Sequence, residues 1–391
     1  MTTYGSEKIR KMTSSIFQEV VDRKQAALMH GKDVIDLSIG SPDFQPPAFV
    51  METLAKYSMD SSKYGYTLKG IAEFNEAVSY FYRQRYSVEL DDNTEVLQLM
   101  GSQDGLAHLA TVIVDPGDYV LVPDPGYPIY EASVTIAGGE IYPMPLLAEN
   151  SFLPKLNEIP EEVLRKTKMM ILSYPGNPVT ALADSSFFEE VVAFANVHNI
   201  LVVHDFAYSE LIYDGNPQIS FLSVPGAKEV GIEFNSLSKT FNMAGCRIGY
   251  AAGNSEVIRL LASFKSHIDY GVFYPIQKAA IAALTSDFSF LEDQLKRYQA
   301  RRDVLVTGFQ TSGWQVEKSP ATMFVWAKIP AGWKSREFAF KLIEDEGIVV
   351  VPGDAFGLQG EGYVRIAMVQ PSEKLEEAAQ RVNEFLLGFP V

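Results

Sequence analysis

From about residue 95 to residue 252 the chain alternates short β-rich apolar runs with longer stretches of helical period. Glu95 to Met100, Tyr119 to Pro123, Lys168 to Tyr174, Ile200 to Asp205, Glu233 to Leu237 and Arg247 to Ala252 read as strands. Asp184 to Asn199 reads as a helix, with Asp184 as N-cap and Phe187, Phe188, Val191, Val192 and Ala195 forming one apolar stripe. Strands and helices in this alternation predict an α/β fold, a large domain with a mostly parallel sheet flanked by helices on both faces. In such sheets ligands sit beyond the carboxyl ends of the strands. Strand ends are therefore where chemistry is expected.

The pattern changes after residue 285. A long helix is predicted from Phe290 to Phe309, then strands over Trp314 to Val316 and Thr322 to Ala327, and a helix over Ser335 to Glu346. Short strands near Ile348 to Val351 and Tyr363 to Ala367 and a final helix from Ser372 complete a smaller α+β unit. Pro42, Pro46 and Pro47 form a stiff connector, so the segment before it is expected to join this smaller unit. The expected division is 1–45 with the small domain, 46–285 as the large domain and 286–391 as the remainder of the small one.

Composition narrows the function. The chain has 391 residues, enough for one large and one smaller domain, and 47% hydrophobic with 21% charged residues is ordinary for a soluble globular protein. A net charge of -16 disfavours nucleic acid and anionic membranes as partners, so any anion site must be built from local donors. The single Cys246 excludes an intrachain disulfide framework, and the N-terminal residues lack the apolar core of a signal peptide. A cytoplasmic protein without membrane span or metal is expected.

Lys239 carries the most specific signal. Ile232 to Leu237 runs as a strand into Ser236, Ser238 and Lys239, with Arg247 eight residues further on. A primary amine among phosphate donors can form a Schiff base with a phosphorylated aldehyde, and pyridoxal 5'-phosphate is the common cofactor that fits. The plain alternative is a surface lysine after a strand. Gly101 to Gly105 follows another strand and opens a helix, where Ser102 and Gln103 would meet an anion; Ser102 could equally be a simple N-cap. Tyr127, on the loop Asp124-Pro-Gly-Tyr-Pro128, could stack on a planar ring or merely cover a core. Asn177, between prolines, could donate to a phenolic oxygen or only shape a turn. Asp205 ends the apolar strand Ile200 to Val203, and an ionised carboxylate there needs a partner, either a protonated pyridine nitrogen or an arginine. Arg365, in Gly362 to Ala367, offers a two-pronged donor for a carboxylate or is an ordinary edge-strand arginine. Taken together, these strand-end residues supply every contact such a cofactor and an amino-acid substrate require.

The order and spacing of these motifs resemble the class I/II aminotransferases, the pyridoxal-phosphate family with the aspartate-aminotransferase fold (fold type I). The resemblance runs from Leu37-Ser-Ile-Gly-Ser-Pro-Asp43 to Arg365. Val122 to Tyr127 and His204-Asp-Phe-Ala-Tyr208 are similar to the branch containing LL-diaminopimelate and methionine-salvage aminotransferases. The resemblance implies that Lys239 is the Schiff-base lysine, that Asp205 pairs with the pyridine nitrogen, and that Asn177 and Tyr208 contact the ring hydroxyl while Tyr127 stacks on the ring. It implies Ser102, Gln103, Ser236, Ser238 and Arg247 for the phosphate, and Arg365 with Gly40 for the substrate α-carboxylate. It also implies a homodimer in which a tyrosine of one subunit, Tyr64 or Tyr66, reaches the phosphate of the other.

Three positions depart from the family pattern. Pro175-Gly-Asn-Pro-Val-Thr180 stands for the usual Pro-Asn-Asn-Pro-Thr-Gly, Cys246 for the usual tryptophan, and Gln103 where members acting on diaminopimelate tend to carry lysine. The expected reaction is ping-pong transfer of an amino group from an L-amino acid to a 2-oxo acid such as 2-oxoglutarate, with LL-diaminopimelate as an alternative donor. A β-elimination lyase acting on a sulfur amino acid would use the same motifs. The apolar candidates Ile16, Phe17 and Ile39 tilt the donor towards a neutral side chain.

Overall fold

A computed structural model of the chain describes residues 4–12, 16–311 and 313–388. Among them twelve strands occur: β1 (Ile35–Asp36), β2 (Val96–Leu99), β3 (Tyr119–Asp124), β4 (Glu140–Pro145), β5 (Thr167–Leu172), β6 (Leu201–Asp205), β7 (Gly231–Ser236), β8 (Gly249–Gly253), β9 (Phe324–Lys328), β10 (Ile348–Val349), β11 (Val351–Pro352) and β12 (Tyr363–Ala367). Strands β2 to β8 form one sheet in the order β2-β8-β7-β6-β5-β3-β4, and only β8 runs against its neighbours.

Side-chain alternation along these strands explains the layering. Met170, Leu172 and Val202 enter the core on one face, whereas Met169, Ile171 and Val203 enter the core on the other. Helix Ser185–His198 covers the first face: Asp184 accepts from the Phe187 N–H at 2.8 Å, and the stripe Phe187, Phe188, Val191, Val192 and Ala195 is buried. Burying one such phenylalanine stabilises the fold by roughly 2–3 kcal/mol. Helix Ser102–Ile113 puts Leu109 and Ala110 on the opposite face. With both faces covered, the carboxyl ends of the strands are left open to ligands.

The second core is built from both ends of the chain. β1 pairs in parallel with β10, Ile35 opposite Ile348, and Val20, Ala27 and Leu37 pack with residues of the last 100 positions. β12 lies between β11 and β9, with Arg365 opposite Val351 and Trp326. Arg365 therefore sits in a central strand, not at an edge.

Two expectations differ. Trp314 to Val316 forms no ladder; Trp314 instead donates its indole N–H to the Lys328 carbonyl at 2.7 Å. β4 was not anticipated because Pro143 and Pro145 interrupt its pattern, but prolines are tolerated on an edge strand, and β4 is one. No helix among the described residues is long and apolar enough to cross a membrane.

Candidate active site

One cavity of about 340 Å³ opens at the carboxyl ends of the central strands, and the residues expected from separate motifs line it together.

At one end stand Ser102, Gln103, Ser236, Ser238 and Arg247. Helix Ser102–Ile113 begins after Gly101, whose φ of 88° is reached at low cost only by glycine, and no side chain caps the helix N-terminus. Ser102 is thus the first helical residue rather than the cap. A Cβ on Gly101 would lie 2.7 Å from Arg247 Nη2, so the glycine lets the guanidinium close over the helix start. Arg247 itself adopts φ 50°, in the left-handed region, and its Nη1 donates to the Ala244 carbonyl at 2.9 Å. Ser236 caps the one-turn helix Leu237–Thr240, its Oγ accepting from the Ser238 N–H at 3.1 Å. The result is a concave set of N–H, hydroxyl and guanidinium donors, which suits a phosphate.

Lys239 rides on that one-turn helix with its Nζ donating to the Gly40 carbonyl. Burial, with the nearby positive charges of Arg365 and Arg247, brings its amine down to about 8, against the opposing pull of Asp205. A share of the amine is therefore neutral and nucleophilic near physiological pH. Asp205 closes β6; burial raises its carboxyl, while a 2.7 Å hydrogen bond from Tyr130 and one of 3.3 Å from the Ala207 N–H oppose the rise. Tyr127 donates to Gln103 Oε1 at 3.3 Å. Tyr208 packs edge-on against Phe324, and burial keeps its phenol protonated.

At the far end Arg365 is buried over the rings of Phe324 and Phe356, 4.4 and 5.0 Å from their centroids. Nη1 donates to Asn177 Oδ1 at 2.8 Å and Nη2 to the Ser38 carbonyl at 2.6 Å, while Nε has no partner among the described residues. Burial lowers this guanidinium to about 10. A buried cation with N–H groups to spare is set for a carboxylate.

Phe17 lines the cavity, but Ile39 does not: it is 49% exposed, and its neighbours Ser38 and Gly40 take the cavity side. Tyr64 and Tyr66 lie outside it, on the surface. Tyr130 lies outside the expected set; the turn in which its N–H donates to the Tyr127 carbonyl at 3.0 Å brings the two rings edge-on just before and inside the helix start.

The arrangement fits pyridoxal phosphate: an open donor cradle at a glycine, a depressed amine, and a buried carboxylate held by Tyr130 and the Ala207 N–H, with no arginine partner among the described residues. The family model for aminotransferase class I and II matches residues 32–382. The chain belongs to the class I and II aminotransferases. It is 45% identical over 382 residues to the LL-diaminopimelate aminotransferase of Moorella thermoacetica, covering 97% of this chain and 98% of that one. LL-diaminopimelate aminotransferase 2 of Trichormus variabilis is likewise 45% identical, over 97% and 98% of the two chains. Among solved structures, substrate-bound BacF from Bacillus subtilis superposes with a TM-score of 0.94 at 38% identity, covering 98% of each chain. This aminotransferase therefore uses pyridoxal phosphate, and its fold is the mostly parallel α/β architecture of the family.

Proposed function

We propose that this aminotransferase transfers the amino group of an L-amino acid to a 2-oxo acid, with Lys239 as nucleophile and proton carrier and Arg365 as the α-carboxylate clamp. When bound, pyridoxal phosphate supplies an aldehyde that takes up the amino group and a ring that accepts electrons from the substrate Cα. Ser102, Gln103, Ser236, Ser238 and Arg247 hold the phosphate. Asp205 keeps the ring nitrogen protonated, Tyr127 covers the ring, and Asn177 and Tyr208 donate to its hydroxyl. Lys239 Nζ would take the Cα proton and deliver it, across the shared nitrogen, to the carbon that the cofactor brings as its aldehyde. Arg365 and Gly40 fix the substrate so that this proton lies within reach.

The supporting observation is that the Lys239 amine, the Asp205 carboxylate and the Arg365 guanidinium share one cavity. Its lining also favours a donor with a neutral side chain. Among the described lining residues the cations are Lys239, Arg247 and Arg365, each already assigned, and Phe17 adds an apolar wall set edge-on to Phe356 at 5.3 Å. A second reading, LL-diaminopimelate as donor, is favoured by the names of the relatives in Moorella and Trichormus. A panel of amino donors with 2-oxoglutarate, read as glutamate formed, separates the two. Strong turnover of LL-diaminopimelate over neutral amino acids overturns the first reading. Pyruvate and ammonia released without any 2-oxo acid would instead indicate elimination.

The same reading includes a cytoplasmic homodimer with shared sites and a domain division near residues 45 and 285. Tyr66 is the better candidate to cross between subunits. It is 82% exposed with its ring against Tyr270, whereas the Tyr64 hydroxyl is committed to the Ser58 carbonyl at 2.8 Å.

A further inference from the structure

Asp205 is held from one side by a residue outside the motifs that built the site. Tyr130, on helix Ile129–Ala137, is buried, and its hydroxyl donates to Asp205 Oδ2 at 2.7 Å. Its ring stands edge-on to Tyr127, with centroids 6.0 Å apart and planes at 78°, and its N–H donates to the Tyr127 carbonyl at 3.0 Å. The strand side is anchored as well, because Ser173 Oγ donates to the Asp205 carbonyl at 3.0 Å. One phenol thus touches both the carboxylate assigned to the ring nitrogen and the aromatic ring assigned to the cofactor face.

We propose that Tyr130 is a positioning residue that sets the proton balance between Asp205 and the cofactor ring nitrogen while bracing Tyr127. This rests on the assignment of Asp205 above. A carboxylate sharing a proton with a ring nitrogen keeps that proton on the nitrogen only while its own basicity is low. A phenol donating to Oδ2 lowers that basicity, and it fixes the carboxylate plane so that Oδ1 keeps its hydrogen bond from Ala207. Burial and the adjacent carboxylate hold Tyr130 protonated, so it stays a donor throughout the working range. The other groups facing Asp205 do not replace it. His204 is engaged with Glu233 on β7 at 2.8 Å, Lys239 points to the Gly40 carbonyl, Tyr127 donates to Gln103, and Tyr208 packs edge-on against Phe324.

Tyr130→Phe removes the hydroxyl and keeps the ring. The holoenzyme's near-visible absorbance, titrated against pH, reports the charge on the cofactor ring; a less positive ring moves the midpoint upward. Tyr130→Phe is expected to raise that midpoint by about 0.5–1 pH unit, a fraction of the roughly 1–2 units that a hydrogen bond to a charged group is worth, because it acts through the carboxylate. It should lower kcat roughly tenfold with the donor KM little changed, since the hydroxyl does not meet the donor. Asp205→Asn is the control and should move the midpoint further in the same direction. A shift in Asp205→Asn with none in Tyr130→Phe overturns the role of Tyr130 alone. No shift in either overturns the Asp205 assignment beneath it. Should Tyr130→Phe fail to fold, site-specific 3-fluorotyrosine at position 130, a stronger donor, must lower the midpoint; an unchanged midpoint there overturns the proposal equally.

Discussion

Arg365 Nη1 donates to Asn177 Oδ1 at 2.8 Å, tying the middle strand of the small sheet to the loop that follows β5. The contact orients both partners. With its oxygen turned to the guanidinium, the Asn177 amide is left with its NH2 to give, as a phenolic oxygen requires. The guanidinium is held in plane with N–H groups remaining for a carboxylate.

Arg365→Ala should therefore raise the donor KM and lower kcat together, reducing kcat/KM by about 100-fold or more, as loss of a buried charged clamp does. Arg365→Lys should recover little, because an ammonium cannot reach Asn177, Ser38 and a carboxylate from one plane. Steady-state kinetics against a single donor checks both variants, and an unchanged kcat/KM counts against the clamp.

Lys239→Ala should fold, bind pyridoxal phosphate through the cradle and the ring contacts without a covalent link, and lose both transamination and the pH-dependent shift of the holoenzyme's near-visible absorbance. Retained turnover would refute the assignment of Lys239.

The depressed amine has a consequence in the cofactor-free protein. With the group near 8, its neutral fraction is about tenfold smaller at pH 7 than at pH 9, so the apoenzyme should take up pyridoxal phosphate at correspondingly different rates. Stability follows the same titration. The unfolded chain holds the Lys239 proton up to its ordinary 10.5 and the folded chain releases it near 8, so folding is penalised below pH 8 and the penalty lifts as pH rises from 8 to 10.5. Lys239→Met should make the apoprotein more stable by roughly 1–3 kcal/mol at pH 7, with the gain fading towards pH 10.5. Denaturant melts of the two apoproteins at pH 7 and pH 10 test the sign.

Gly101→Ala is the sharpest test of the phosphate cradle. A Cβ there meets Arg247 Nη2 at 2.7 Å on a backbone at φ 88°. The guanidinium must swing away, and cofactor affinity is expected to fall on the order of tenfold or more with the helix otherwise intact. Equilibrium binding of pyridoxal phosphate to the apoenzyme reads this directly.

Tyr66→Phe should weaken cofactor retention in the assembled protein, whereas Tyr64→Phe should leave it near the unsubstituted level. The reverse ranking, measured by dialysis of the holoenzyme, assigns the crossing hydroxyl to Tyr64.

The hydrophobic pattern, read alone, determined the layered α/β core, because a parallel strand buried on both faces and a helix with a Phe187-to-Ala195 stripe each have one stable way to lie. It also marked candidates for the chemistry: the amine, carboxylate, amide and guanidinium that line one cavity were legible as unusual polar residues at strand ends. Local pattern misread Trp314 to Val316, where an indole hydrogen bond to Lys328 replaces a ladder, and passed over β4, which prolines disguise and an edge position permits. Tertiary structure alone decided the rest. That Arg365 meets Asn177 across 188 positions, that Gly101 makes room for Arg247, and that Tyr130 rather than another side chain holds Asp205 all depend on contacts between distant segments. The lowered amine of Lys239 belongs there too, since burial and neighbouring charge act through space and leave no mark on the order of residues.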